Sequence, residues 1–262
     1  METATTYETK NKAYWTNRAP SYATVHQGQL ASAQHDIWRN LFKECITKQF
    51  TDRQPETIRV LDVGTGPGFF AILLAELGYN VTAVDYTESM LDQARANAGT
   101  LGNAISFQQM NAEAMTFADA SFDVVVSRNL TWNLPHPEKA YAEWTRVLKP
   151  KGLLLNFDAN WYRYLYDDAA RQGYEADRQA IKDAGVANET DGTDIPAMEA
   201  IAADAPLSAL MRPQWDDRVL TALDMAVSID ETIWQTVWDE TQCINNSSTP
   251  MFMVHAVKEW QS

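Results

Sequence analysis

The spacing of apolar positions changes several times along the chain, and each change marks an element. From residue 29 to about 50, Leu30, Ile37, Leu41 and Cys45 recur at helical spacing, which predicts one amphipathic helix with Cys45 as a buried core thiol. After the polar TDRQPET, short apolar runs alternate with helical patterns. Strands are expected at 58–63, 81–85, 105–109, 122–127 and 153–158. Helices are expected at 69–77 (stopped by Gly78), 90–97 and 138–148, with KPKG as a turn. Ala140, Tyr141, Trp144 and Val147 form a core-facing stripe on the last of these helices. Residues 225–229 and 251–257 read as two closing strands, joined through SIDETIWQTVWDE.

Such a series predicts an α/β fold: a Rossmann-like, seven-stranded, mostly parallel, doubly wound sheet with helices on both faces. Two segments fall outside the alternation. Residues 1–28 are polar with interspersed aromatics and suit an N-terminal helical cap. Residues 159–217, rich in Tyr, Asp and Ala and carrying NETDGTD as a loop, suit a lid inserted over the sheet's carboxyl edge, before the last two strands. The expected organisation is one domain over 1–262: cap and helix to 57, ligand-binding core 58–158, lid 159–217, closing strands 218–262.

A hydrophobic content of 45% and an aromatic content of 11% suit a globular protein. The net charge of −14 repels phosphate backbones and anionic membrane surfaces, so the expected partner is a small molecule rather than nucleic acid or membrane. No apolar run approaches the roughly 20 residues of a membrane helix. The start METATTYETKNKAYW lacks a signal-peptide core, so a cytoplasmic location is expected. Cys45 and Cys243 are the only cysteines, and no His/Asp/Glu grouping has ligand spacing, so neither a disulfide framework nor a metal is expected.

The chemistry concentrates in VLDVGTGPGFFAILLAELGYNVTAVD. Its glycines fall as G-x-G-x-G (Gly64, Gly66, Gly68), and Phe69 fills the place of the last glycine in the dinucleotide fingerprint. No G-K-[ST] follows, which argues against a nucleoside-triphosphate loop. What remains is a tight turn bringing bare backbone to a ligand, with a helix N-terminus behind it. Asp62 before the turn discourages a phosphate and suits a ligand with an amino group and a sulfonium. Asp85, closing the second strand, is placed to accept from both hydroxyls of a ribose.

Four stretches in register resemble the class I S-adenosylmethionine-dependent methyltransferases, particularly the branch similar to the menaquinone/ubiquinone C-methyltransferases (methyltransferase type 11). They are VLDVGTGPGFFA, AVDYTESML, MNAEAMTFADASFDVVVSRN and RVLKPKGLLLNFD, and the likeness covers roughly residues 58–160. The resemblance implies S-adenosyl-L-methionine as cofactor and S-adenosyl-L-homocysteine as product. It puts Asp62, Gly64, Thr65, Gly66 and Gly68 at the methionine end, Asp85 on the ribose, and Tyr86 and Met90 beside the adenine. Asn111 stands where the family usually has Asp, a neutral acceptor for the adenine amino group in place of a charged one. Ala112 would offer its backbone N–H, and Asn129 and Leu130 would lie near the methionine moiety. YWTNRAPSYATVH resembles the family's WDxxAxxYD segment, making Tyr14, Arg18 and Tyr22 candidate contacts.

Methyl transfer needs alignment and exclusion of water more than an obligatory catalytic residue, and a base only for some acceptors. The catalytic residue is therefore left open, with His26, Asp158 and Tyr164 as candidates. Trp132, Asn160 and Trp161, after the fourth and fifth strands, are candidate substrate contacts that could wall an apolar or cationic acceptor. The lid acids Asp167, Asp168, Glu175, Asp177 and Asp183 could favour a cationic or metal-chelating acceptor, or form a solvated face. The function expected is methyl transfer to a small-molecule acceptor. The alternative is a binding module for the cofactor or its product without turnover; an NAD-dependent oxidoreductase fits less well, because of the glycine spacing.

Overall fold

The computed structural model describes residues 2–259. Where the sequence offers only polar residues and scattered aromatics, the chain forms one long helix, α1 (Glu2–Leu30). Its inner side carries Tyr7, Ala19, Ala23 and His26, small or polar-tipped residues that leave no apolar stripe in the sequence. The helix expected over 29–50 is broken at its start. Ser32 Oγ donates to the Gln29 carbonyl and accepts from the Gln34 N–H, a local alternative to helical hydrogen bonding. The next helix, α2 (Gln34–Gln49), buries Trp38, Phe42 and Ile46. Cys45 is half-buried at the edge of that packing and not within it.

The core then runs β1 (Arg59–Val63), α3 (Phe69–Glu76), β2 (Asn80–Asp85), α4 (Glu88–Ala98), β3 (Ile105–Gln109), β4 (Phe122–Arg128), α5 (Pro137–Val147) and β5 (Leu148–Asp158). After it come α6 (Asp168–Ala184), α7 (Ile195–Ala202), α8 (Gln214–Thr221), β6 (Met225–Asp230), α9 (Trp234–Val237), α10 (Glu240–Asn245) and β7 (Phe252–Lys258). One seven-stranded sheet has the order β3-β2-β1-β4-β5-β7-β6. The first five strands are parallel, with Val60 opposite both Val81 and Val124. β7 enters antiparallel between β5 and β6, with Asn156 opposite Val254 and Ser228 opposite His255. The inner strands β1, β2, β4 and β5 are mostly apolar because both of their faces are covered, whereas the edge strands β3 and β6 are partly polar and exposed. Trp38, Phe42, Phe69, Phe70 and Phe157 pack on one face, and Tyr141, Trp144, Trp215 and Leu220 on the other.

KPKG, expected as a turn, is a bulge within β5. Leu148 pairs with Phe122, pairing resumes with Leu153 opposite Val124, and Lys151 takes a φ of 61°. Segment 159–217 holds α6, α7 and the start of α8. Asp167 and Asp194 cap α6 and α7 by accepting the Ala170 and Ala197 N–H groups, at 2.9 and 3.1 Å. Met198, Ile201 and Ala202 of α7 pack on Tyr7 and Trp132, so this segment rests on α1 and on the loop after β4. No helix among the described residues is long and apolar enough to cross a membrane.

Candidate cofactor and acceptor site

The strand order reverses between β1 and β4, which opens a crevice at the carboxyl edge of the sheet. Gly64, Gly66 and Gly68 have φ of 68°, 52° and 90°, and the N–H groups of Gly64 and Thr65 pin the loop to the Val84 carbonyl at 2.9 and 3.0 Å. A Cβ on Gly64 would lie 2.6 Å from Leu130 Cδ2, so the Leu130 side chain packs against the bare backbone of the turn. Asp85 accepts the Gly66 N–H (3.0 Å) and both the N–H and O–H of Thr87 (2.9 Å each), which fixes its carboxylate at the end of β2. Asp62 accepts the Thr65 hydroxyl at 2.6 Å, and burial pushes its carboxyl up to about 7.

These groups line one cavity. Of the expected cofactor residues, Asp62, Gly64, Thr65, Gly66, Asp85, Tyr86, Met90, Asn111, Ala112, Asn129, Leu130 and Tyr22 all face it. Gly68 does not: it starts α3 and packs on α4, where an added Cβ would come within 3.0 Å of Ala94 Cβ. Tyr14 and Arg18 face a neighbouring chamber instead. The Asn111 side-chain oxygen accepts the Glu113 N–H at 2.9 Å in a local turn. α1 closes the open side with Trp15, Tyr22 and His26, and Lys12 Nζ lies 4.6 Å above the Tyr86 ring.

Arg128, at the end of β4, is a pocket residue absent from the motif reading. Its guanidinium lies 4.7 Å from the Phe69 ring and 5.0 Å from the Phe70 ring, and donates to Gln29 (3.0 Å) and His26 Nε2 (3.2 Å). The signal was present in sequence as a lone cation ending the apolar run FDVVVS. Its contact settles the chemistry of His26. Burial, then Arg128, hold the imidazole well below its ordinary pKa, so the ring is neutral. Arginine has only donors, so Nε2 accepts and Nδ1 carries the hydrogen. That Nδ1 is buried without a hydrogen-bond partner. His26 is therefore a poor general base and a free donor on the pocket wall.

A second cavity lies beneath segment 159–217 and shares Trp15, Tyr22 and Asn129 with the first. Asn129 is the joint. It takes a φ of 54°, a conformation Asn tolerates, accepts Trp132 Nε1–H on its carbonyl (3.0 Å) and Trp161 Nε1–H on its side chain (3.3 Å). Trp132, Trp161 and Tyr164 line this chamber, together with Tyr162 and Tyr174, which no sequence pattern distinguishes from the other tyrosines of the segment. Tyr164 donates to Glu199 at 2.8 Å, and burial followed by that carboxylate raises its phenol pKa, which leaves it a donor and not a base.

Two candidates lie outside both cavities. Asp158 is fully buried, with Oδ2 accepting from Arg212 (2.6 Å) and the Trp132 N–H (3.1 Å), and Oδ1 accepting the Ala159 N–H (2.9 Å). Asn160 is bound in both directions to the backbone of Arg212, at 2.8 and 3.0 Å. Both hold the chamber's frame. Most of the lid acids are likewise accounted for locally: Asp167 caps α6 and pairs with Arg163, Asp183 accepts from Gln179, and Asp168 and Glu175 are exposed.

The sheet order, the glycine loop and the strand-end acid together define the fold class of the class I S-adenosylmethionine-dependent methyltransferases. Within that class, residues 61–156 match the family described as "Methyltransferase domain". The ubiquinone biosynthesis O-methyltransferase of Coxiella burnetii is 33% identical over 109 residues, covering 41% of this chain and 47% of that protein. An S-adenosylmethionine-dependent methyltransferase from Methanosarcina mazei shares the fold with a TM-score of 0.53 at 22% identity, over 81% of this chain and 97% of its own. A chain of the complex formed by the Haloferax volcanii Trm112 methyltransferase activator gives 0.58 at 16% identity, over 94% and 98%. The chain spans about half or less of the length of the curated relatives it matches.

Proposed function

We propose that this protein transfers a methyl group from S-adenosyl-L-methionine to a small-molecule acceptor seated beneath segment 159–217. The observation that carries the reading is the joining of two cavities at Trp15, Tyr22 and Asn129, one built on the glycine loop and one walled by aromatic rings. The first cavity fits the cofactor on its own chemistry. Asp85 presents a fixed carboxylate suited to ribose hydroxyls, and Asp62 a buried carboxyl suited to an ammonium. Arg128 and the unpartnered Nδ1–H of His26 suit a carboxylate. Asn111 and Ala112 in the turn after β3, with Tyr86 and Met90, suit the adenine.

When bound, the cofactor supplies an activated methyl group on a sulfonium, with a neutral thioether as leaving group. The chain's part is placement. Trp15 and Tyr22 on α1 exclude water at the junction, and Asn129 holds Trp132 and Trp161 in place beside it. A binding module without turnover would have no need of an aromatic-walled chamber next to the cofactor pocket. Because the chain's own segment roofs that chamber, a free small molecule is favoured as acceptor over a macromolecule presented by an activator.

Titration calorimetry with S-adenosylhomocysteine and with NAD tests the cofactor half. Binding NAD in preference to S-adenosylhomocysteine would sink it. Transfer of label from methyl-labelled cofactor into a metabolite extract tests turnover, and no labelled product across broad extracts would favour the binding module.

A further inference from the structure

The sequence draws attention to the acids of 159–217, yet the acceptor chamber also carries two arginines that form no ion pair among the described residues. Arg178 lines it from α6. Its Nη1 donates to Asn188 Oδ1 at 3.2 Å and its Nη2 to the Asn245 carbonyl, both neutral. Its Nε is buried with no hydrogen-bond partner. Arg18 faces the same chamber from α1, bonded only to the Ser21 hydroxyl (2.6 Å) and the Gly192 carbonyl (3.5 Å). Among the described residues neither arginine forms an ion pair, in a chain with 35 acidic and 21 basic residues. Elsewhere, half-buried Arg53 and fully buried Arg212 are both paired with carboxylates.

The guanidinium of Arg178 is also held rigidly. It lies 5.0 Å from the Tyr174 ring, which stacks on Tyr164 at 4.0 Å and an interplanar angle of 12°. Preorganised and hydrogen-bonded only to neutral acceptors, it is a site for a planar anion, with Glu189 near enough to feel its charge but not in a salt bridge with it. The chamber's two acids limit the charge that anion can carry. Asp177 is engaged by the N–H and hydroxyl of Ser248, and Glu189 by Asn246, but both would repel a dianion.

We propose that the methyl acceptor carries a single carboxylate on an aromatic body, the carboxylate seated on Arg178 with Arg18 across the chamber and the ring between the tyrosines and tryptophans. This rests on the chamber being the acceptor site. It differs from the cationic or metal-chelating acceptor that the lid acids could favour when they are not simply a solvated face.

The test uses the full chain loaded with S-adenosylhomocysteine and two probes that share a phenol ring but differ in charge, 4-hydroxyphenylacetate and tyramine. Saturation-transfer NMR and calorimetry should show binding of the carboxylate and not of the amine. Arg178→Gln should weaken the carboxylate at least tenfold, with Arg178→Lys recovering part of the loss, while S-adenosylhomocysteine affinity stays unchanged and reports an intact fold. Tighter binding of tyramine, equal binding of the two probes, no binding of either, or an unchanged carboxylate affinity in Arg178→Gln would each overturn the inference. S-adenosylhomocysteine binding by the wild-type chain is read separately. Its absence would count against the methyltransferase reading, whereas its presence without a charge preference would count against this inference alone.

Discussion

Asp158 Oδ2 lies 2.6 Å from Arg212 Nη1, and neither side chain has any exposed surface. Arg212 also grips Asp216 through two nitrogens, at 2.6 and 2.9 Å, and Asp216 in turn accepts the Tyr141 hydroxyl. The network ties the end of β5 to the segment leading into α8, and through the Trp132 N–H it fixes one wall of the acceptor chamber. Replacing Arg212 by Ala would strand two buried carboxylates, and such losses typically cost about 3–5 kcal/mol. Urea unfolding of Arg212→Ala should show a loss of that size; a loss under about 1 kcal/mol would mean water or a rearranged partner reaches the site.

Asp62 gives the pocket a pH dependence whose sign can be worked out. Burial raises its folded-state pKa from an ordinary 3.8 to about 7. The proton is therefore held more tightly in the folded chain, a contribution to stability complete below 3.8 and lost as pH rises through about 7. A ligand ammonium favours the ionised form, so S-adenosylhomocysteine affinity should rise between pH 5.5 and 7.5, with proton release near pH 6 that fades by pH 8.5 (values set around the pKa of about 7). Calorimetry at each pH in two buffers of different ionisation enthalpy measures that release. Asp62→Asn should abolish it, and persistence of the release in that variant would assign the proton elsewhere.

His26 packs 4.7 Å from the Tyr22 ring and 5.7 Å from the Phe69 ring, so His26→Phe keeps the packing while removing the Nδ1–H donor. A hydrogen bond to a charged group is worth roughly 1.5–3 kcal/mol, so S-adenosylhomocysteine should bind about tenfold more weakly or worse. Methylthioadenosine, which lacks the amino-acid end, should be unaffected. Equal weakening of both ligands would show that His26 supports the pocket generally and does not contact the carboxylate end.

The sheet was legible because its signal is local. Apolar strands buried on both faces, Gly64 to Gly68 in a tight turn and Asp85 at a strand end each follow from short-range pattern. α1 was legible only as a helical cap; its single 29-residue span and its buried face were not, since that face is built from Tyr7, Ala19, Ala23 and His26, which no hydrophobic periodicity marks. Asp158 read as a catalytic candidate because it sits at a strand's carboxyl end. Only tertiary structure brings in Arg212, 54 residues away, to occupy it. Most of the lid's acids are settled locally or exposed, with Asp167 and Asp183 finding partners within four residues, whereas the environment of Arg178 depends also on Asn245, 67 residues distant, which no sequence pattern marks.

Gly64 tests whether the contact between the glycine loop and the β4 loop sets the pocket. Its φ of 68° costs an L-residue roughly 1–2 kcal/mol, and an added Cβ would also meet Leu130 Cδ2 at 2.6 Å and Cδ1 at 2.9 Å. Gly64→Ala should therefore lose more stability than the backbone term alone and should weaken S-adenosylhomocysteine binding, because relief requires the loop or Leu130 to move into the cavity that both line. Adding Leu130→Ala removes the clash but not the strain. Relative to the Leu130→Ala single variant, the double variant should show only the residual 1–2 kcal/mol penalty in urea unfolding, with cofactor affinity partly restored. Strictly additive losses would show that the two residues do not couple and that the close approach between the loops is not what shapes the pocket.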